Sequence, residues 1–223
     1  MTHTTHPYAH RLGILRDWKS KWFPKSKQAL RENLKVDTVI RDFVAKRLRS
    51  YYIGELVIER NANNGIRLII KTSRPGLVIG RSGEELKKVS EELKKVLRKK
   101  ASLKDVPEIR IDVEEIKSPE SNAALVALMV VESLEKRMPF KRVMKSTVEK
   151  VMANRDVQGV RIRISGRLNG ADMARTEEIR KGRIPLQTFR ADIDFARERA
   201  MIPQGVLGIK VWIYKGNVLN KKK

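Results

Sequence analysis

Three groups of residues in this chain are suited to holding an anion. The first is Gly80-Arg81-Ser82-Gly83. Glycine has no side chain and tolerates positive φ, so such a loop can bring its backbone close to a ligand. The residues that follow predict a helix, so free N–H groups and the positive dipole end face what the loop holds. Arg81 adds charge, Ser82 adds a hydroxyl donor, and Arg74 and Lys87 flank the loop. The second group is Lys141, Arg142 and Lys145. Positions 141 and 145 are one helical turn apart and share a face. Cations in such a row attract phosphates without reading sequence. The third group is the run of arginines Arg161, Arg163, Arg167, Arg175, Arg180, Arg183 and Arg190. Alternating outward from strands, these are expected to form a phosphate-binding face.

Patterns for catalysis are missing. There is no Gly-x-x-x-x-Gly-Lys, His-Glu-x-x-His or Gly-x-Ser-x-Gly. The absence of cysteine excludes disulfides, thiol nucleophiles and cysteine-ligated zinc, and fits a reducing cytoplasm. Asp192 and Asp194 would share a face of a strand, the placement that two metal ligands of a nuclease would need. With no third acid or histidine evident, they are read as partners of the arginines. His3, His6 and His10 stand at helical spacing, but Pro7 interrupts them, and they are read as a polar tail. The expectation is a chain with no enzyme activity, cofactor or metal, in which any strand separation is passive and not driven by ATP.

The partner follows from charge. The 223 residues carry 49 Lys and Arg against 26 Asp and Glu, a formal charge of +23. That excess needs a polyanion, and nucleic acid is the usual one. A membrane surface is the rival. However, the longest apolar run, Ala123 to Val131, is about half of the ~18 residues a spanning helix needs. The first ten residues hold no hydrophobic signal core, so a soluble intracellular protein is expected.

The elements that position these groups can be read from periodicity. Val36, Val39, Ile40, Phe43, Val44 and Leu48 predict a helix over 34–50. Strands are expected at Glu55–Glu59 and through Ile66, Leu68 and Ile70, joined by the turn signal Asn63-Asn64-Gly65. Arg74-Pro75-Gly76 breaks the second strand. After the glycine loop, Leu86, Val89, Leu93, Val96 and Leu97 make the stripe of a lysine-rich helix. A third strand runs through Ile109, Ile111 and Val113. Ser118-Pro119-Glu120 reads as the N-cap of a buried helix ending near Arg137, and a basic helix follows from Phe140 to about Ala153. Extended stretches are expected through Val160–Ile164, through Ile179, Ile184 and Leu186, and through Ile209–Ile213. The fold class is α+β in two domains, with a flexible segment at 1–16, one domain at 17–117, a β-rich α+β domain at 118–215 and a basic tail at 216–223. Near the first boundary, Trp18, Trp22 and Phe23 sit among Arg16, Lys19, Lys21 and Lys25. They suit either stacking on bases or anchoring to the first domain.

Helix, strand, strand, glycine loop, helix and strand is the order of a type II KH module, whose loop clamps nucleic-acid backbone. The wording of the sequence goes further. Arg74-Pro75-Gly76-Leu77-Val78-Ile79-Gly80-Arg81-Ser82-Gly83 resembles the KH loop of the small-subunit ribosomal protein three family. Arg11-Leu12-Gly13-Ile14, Phe140-Lys141-Arg142-Val143-Met144-Lys145, Ser165-Gly166-Arg167-Leu168, Gly182-Arg183-Ile184-Pro185-Leu186 and Gly208-Ile209-Lys210-Val211-Trp212-Ile213 resemble other blocks of that family, in the same order. The resemblance covers nearly the whole chain.

It implies a place in the head of the small subunit, on small-subunit ribosomal RNA, beside proteins ten and fourteen, with messenger RNA passing nearby. It implies that Lys141, Arg142 and Lys145 line the channel by which messenger enters. It implies ribosomal RNA contacts at Arg11, Trp18, Lys19, Lys21, Trp22, Arg161, Arg163, Arg167, Arg175, Arg183 and Arg190. The chain departs from the family in having Lys141 for arginine, Asn169 for glycine and Asn122 for aspartate. It also has a longer Lys99–Pro107 segment and lacks an extended C-terminal tail. The rival reading is a free-standing KH factor acting in transcription or ribosome assembly, which would have no need of the C-terminal blocks. Aspartate at Gly80 or Gly83 is expected to weaken RNA contact with little loss of fold.

Overall fold

A computed structural model of the chain describes residues 6–61, 65–100 and 108–218. His3, Asn63, Asn64, most of Lys99–Pro107 and Lys221–Lys223 lie outside the described residues. The chain divides into two units, Trp18–Lys117 and a second made of Met1–Asp17 with Ser118–Lys223. The N-terminal segment, expected to be a separate flexible piece, is thus counted with the C-terminal domain.

The first unit opens with β1 (Ser20–Lys21) and α1 (Lys27–Arg47). Helix α1 begins about two turns before its apolar stripe, where the Ser26 hydroxyl accepts a hydrogen bond from Ala29 N at 3.1 Å. Those first turns bury nothing, so they carry no periodicity to read. Strand β2 (Ile53–Arg60) pairs antiparallel with β3 (Ile66–Thr72) and parallel with β1. Strand β4 (Ile109–Glu115) pairs parallel with β3. A parallel neighbour needs a crossover, and here it is α2 (Pro75–Ile79), the glycine loop and α3 (Glu84–Lys100). Leu56, Ile58, Leu68 and Ile70 of the sheet pack on Ile40 and Val44 of α1 and Leu93 and Leu97 of α3. The opposite sheet face carries an ion-pair ladder. Arg67 bridges Glu59 (3.5 Å) and Asp112 (2.5 Å), and Lys71 bridges Glu55 (3.3 Å) and Glu114 (3.9 Å).

The second unit holds α4 (Ala123–Glu135) and α5 (Phe140–Met152) on one face of an antiparallel sheet. Its strands are β5 (Gly159–Gly166), β6 (Arg175–Gly182), β7 (Ala191–Ile202) and β8 (Gly205–Asn217), in the order β6-β5-β8-β7. Ser118 is not the cap of α4. Pro119–Ser121 form a separate 3₁₀ turn, and Asn122 accepts from Ala124 N (3.0 Å) and Leu125 N (3.3 Å). Asp194 of β7 accepts from Ala123 N at 2.9 Å, so the helix start is satisfied twice. Asparagine caps as well as aspartate, which accounts for the Asn122 departure. Asn169 adopts a left-handed conformation (φ 56°), and asparagine tolerates it better than most residues that could replace a glycine.

The expected stretch through Ile179, Ile184 and Leu186 is not one strand. Strand β6 ends at Gly182, and Ile184 and Leu186 lie in the following loop, packed on Ala191, Ile193, Trp212 and Tyr214. Strand β7 escaped the reading by alternation. Its apolar side chains fall on both faces, with Ala196 and Ala200 in the core beneath the helices and Ala191, Ile193 and Phe195 in the cluster on the other face.

Arg11, expected at the RNA surface, is fully buried. Its Nε donates to Ala191 O (2.6 Å), one terminal nitrogen to Pro7 O (3.0 Å), and the other to Leu186 O (3.0 Å) and Thr188 O (2.9 Å). Burial lowers its pKa from the ordinary guanidinium value, with Asp192 opposing and Arg16 reinforcing the shift. Arginine is effectively always protonated in proteins, so the buried guanidinium keeps its charge, and the carbonyls replace its water. Arg11→Lys keeps the charge but cannot span these acceptors. It is expected to destabilise the second unit by about 3 kcal/mol. The check is hydrogen exchange at β7 and β8 amides, which should lose protection. Wild-type protection would show that the carbonyl network is dispensable.

Candidate nucleic-acid interface

In the first unit the chain is led into the glycine loop by a buried hydroxyl. Thr72 Oγ1 bonds Tyr51 O (2.8 Å) and accepts from Arg74 N (3.1 Å). The exposed Arg74 guanidinium lies over the Tyr52 ring, 4.7 Å from its centroid. Helix α2 is a single turn with Pro75 at its start, closed by Gly80 N donating to Gly76 O (2.9 Å). Gly80 then adopts φ 72°, ψ −176°, a conformation left almost wholly to glycine, and Ser82 and Gly83 are left-handed at φ 54° and 77°. Arg81, Ser82 and Lys87 are exposed at the turn into α3. Beside them Leu77 and Ile79 expose 48% and 38% of their surface, enough to offer an apolar seat for a base. Neither was singled out by the sequence, because in an apolar run they read as core.

The helix-dipole argument is weaker here than the sequence suggested. Glu84 and Glu85 stand in the first turn of α3, where they already satisfy part of its positive end. Glu85 is itself held by Arg47 (3.6 Å) and Lys88 (3.3 Å). Attraction of a phosphate therefore falls chiefly to Arg74, Arg81 and Lys87.

The two glycines are not equivalent. A Cβ on Gly80 would lie 2.7 Å from Glu85 Cβ, whereas one on Gly83 meets nothing within 4 Å. Gly80→Asp therefore disturbs the loop itself, contrary to the expectation that fold would be spared at both positions.

In the second unit, α5 presents Lys141, Arg142 and Lys145 to solvent from a helix whose other face is locked in the core by Phe140, Val143, Met144, Val148 and Val151. Its N-cap is Pro139, no side chain caps it, and its first turn holds no acid. The positive helix end and the three cations thus stand together.

The arginines of the C-terminal domain do not share one face. Arg161 and Arg163 point away from the helices, with Arg161 bonded to Glu178 (2.5 Å) and lying 4.9 Å from the centroid of the Trp212 ring. Arg175 pairs with Gly166 at the start of β6, on the opposite face to Arg161. Arg167 braces its own loop through Ala171 O (2.9 Å) and Asp172 (3.0 Å). Arg183 and Arg190 are exposed on the segment between β6 and β7.

Trp18, Lys19 and Lys21 are exposed. Trp22 is half-buried, and its Nε1 donates to Asp37 (2.8 Å), which also accepts from Ser20 Oγ (3.1 Å) and Arg60 (2.6 Å). Trp22 is therefore an anchor, while Trp18 stays 61% exposed. Asp192 pairs with Arg16 (2.7 Å), so it and the helix-capping Asp194 both serve structure.

Gly83→Asp places an anion in the loop without a steric clash, though at a left-handed φ of 77° that favours glycine, and should lower affinity for single-stranded RNA several-fold with only a small drop in melting temperature. Titration of a labelled oligonucleotide, with the melt as control, checks it. Unchanged affinity would show that the loop takes no RNA.

Residues 39–121 match the family described as "KH domain", and residues 130–213 match "Ribosomal protein S3, C-terminal domain". The chain is 40% identical to the small ribosomal subunit protein uS3 of Kosmotoga olearia, over 100% of this chain and 98% of that one. It is 42% identical to uS3 of Nitrosococcus oceani (99% and 94%) and 43% identical to uS3 of Salinibacter ruber (99% and 89%). With both domains matched in order and the identity spanning its full length, the chain belongs to the uS3 family of small ribosomal subunit proteins.

Proposed function

We propose that the chain is a structural constituent of the small ribosomal subunit in the cytoplasm, binding small-subunit ribosomal RNA in the head beside proteins ten and fourteen. In this reading it guides messenger RNA into the ribosome and carries out no chemical step. The proteins it resembles are ribosomal proteins, not enzymes.

The observation that carries the messenger-guiding part is the start of α5. Helices usually place acids or a polar cap at the N-terminus, because the first-turn N–H groups and the dipole favour negative charge. Helix α5 has neither, and sets Lys141 and Arg142 in its first turn instead, with Lys145 one turn further along. Those cations repel one another and the dipole, and a passing phosphate relieves both. The buried face keeps the helix from yielding as RNA is pulled past. Lysine at 141 preserves phosphate attraction and forgoes a bidentate fork, which suits a sliding contact more than a fixed one.

Small subunits carrying Lys141→Ala, Arg142→Ala and Lys145→Ala should assemble normally yet initiate several-fold more slowly on messengers with a hairpin downstream of the start site. The measurement is initiation rate on hairpin and unstructured messengers, with sedimentation to confirm subunit content. Equal slowing on both, or none, would remove the channel role. A chain that fails to co-sediment with subunits at high salt would instead support a free KH factor.

A further inference from the structure

The outer face of the C-terminal sheet, turned away from α4 and α5, carries an arrangement that the messenger channel does not use. Register sets its residues in rows across the four strands. One row runs Glu178, Arg163, Lys210, Arg197. The row above it holds Arg180, Arg161, Trp212 and Phe195, and the row below ends in Arg199. Six cations thus face outward with Glu178 as the acid among them, and Glu178 bonds Arg161. Arg163, Arg180, Arg197 and Lys210 have no ion-pair partner among the described residues.

Like charges directly opposite on neighbouring strands destabilise a sheet. Here Arg163 faces Lys210, and Lys210 faces Arg197, three abreast. Nothing inside the fold needs this, because the core lies on the other face. A polyanion laid across the row would remove the repulsion.

The kind of polyanion follows from what the face lacks. Sheets that bind single-stranded RNA stack bases on exposed aromatic side chains. The aromatic side chains on this face, Phe195, Trp212 and Tyr214, are packed in a cluster with Ile184 and Leu186, and His6 sits edge-on to Phe195 at 4.8 Å. Trp212 and Tyr214 are only 4% and 6% exposed, and Phe195 is half-buried with His6 against it, so the face has no fully exposed ring for a base to stack on. What remains is a grid of cations, about 4.8 Å apart across strands and about 6.7 Å apart along them. Such a grid suits the phosphates of double-helical RNA, which proteins recognise by shape and backbone.

We infer that this sheet face is a sequence-independent docking surface for double-helical RNA, centred on Arg163, Lys210 and Arg197. The inference rests on the RNA-binding reading above but not on the channel. A null result for the Lys141, Arg142 and Lys145 variant would leave it standing, and the converse holds.

The test uses the full chain with Arg163→Ala, Arg197→Ala and Lys210→Ala combined. The probes are a blunt RNA duplex of arbitrary sequence and a single-stranded oligouridine, each titrated over a range of salt. Duplex affinity should fall at least tenfold, and the slope of log affinity against log salt should drop by about 2–3, roughly one for each phosphate contact removed. Oligouridine binding should hold. Thermal stability without RNA should be equal or higher, because the like-charge row is gone. Unchanged duplex affinity and slope would overturn the inference, whether or not the variant still enters subunits; if it then failed to enter them, the face would be assigned to a neighbouring protein. A lower melting temperature would overturn it too, by showing that the cations serve the fold.

Discussion

The second unit depends on one buried guanidinium. Removing Arg11 from water costs several kcal/mol unless every donor finds a partner. The partners here are main-chain carbonyls from residues 7, 186, 188 and 191, which the chain brings together from its two ends. Satisfying the charge therefore fixes the N-terminal segment, the loop after β6 and the start of β7 at once. That closure covers Trp212 and Tyr214 at one end of the outer sheet face and stops short of Arg163, Lys210 and Arg197 at the other. Which part of the sheet is core and which is surface follows from where Arg11 is held.

The first unit solves a similar problem with the opposite sign. Asp37 is 4% exposed and gathers Ser20, Trp22 and Arg60 around one carboxylate. The result is that β1 is laid against β2, and Trp22 is withdrawn from solvent while Trp18 is not. In each unit a single buried charge ties down a stretch of chain with too little apolar surface to hold itself.

Charge is also partitioned over the exposed surface. Glu55, Glu59, Asp112 and Glu114 are spent on Arg67 and Lys71 across one sheet face of the first unit. Hydrogen bonding to Asp112 raises the Arg67 pKa, as expected of a cation already matched. With 49 Lys and Arg against 26 Asp and Glu, surfaces without such a ladder are left cationic. Helix α5 and the outer face of the C-terminal sheet are two such surfaces, each mounted on an element whose reverse side is core. Rigid supports let such cations meet phosphates without first being ordered.

The glycine loop, the stripes of α3 and α5, the alternation of β5 and the excess of cations were legible in the sequence. Each is a local pattern, set by backbone freedom, periodicity or composition within a few residues. The first turns of α1 were invisible because they bury nothing. The cap at Asn122 was hidden because Asp194, which completes it, is far along the chain. The difference between Gly80 and Gly83 needed the position of Glu85, and the true role of Arg11 needed carbonyls more than 170 residues away. The sequence alone determined the family, the two-domain α+β plan and the need for a polyanionic partner. Only the tertiary structure decided which arginines support the fold and which face outward, because a guanidinium's role depends on what long-range packing places around it.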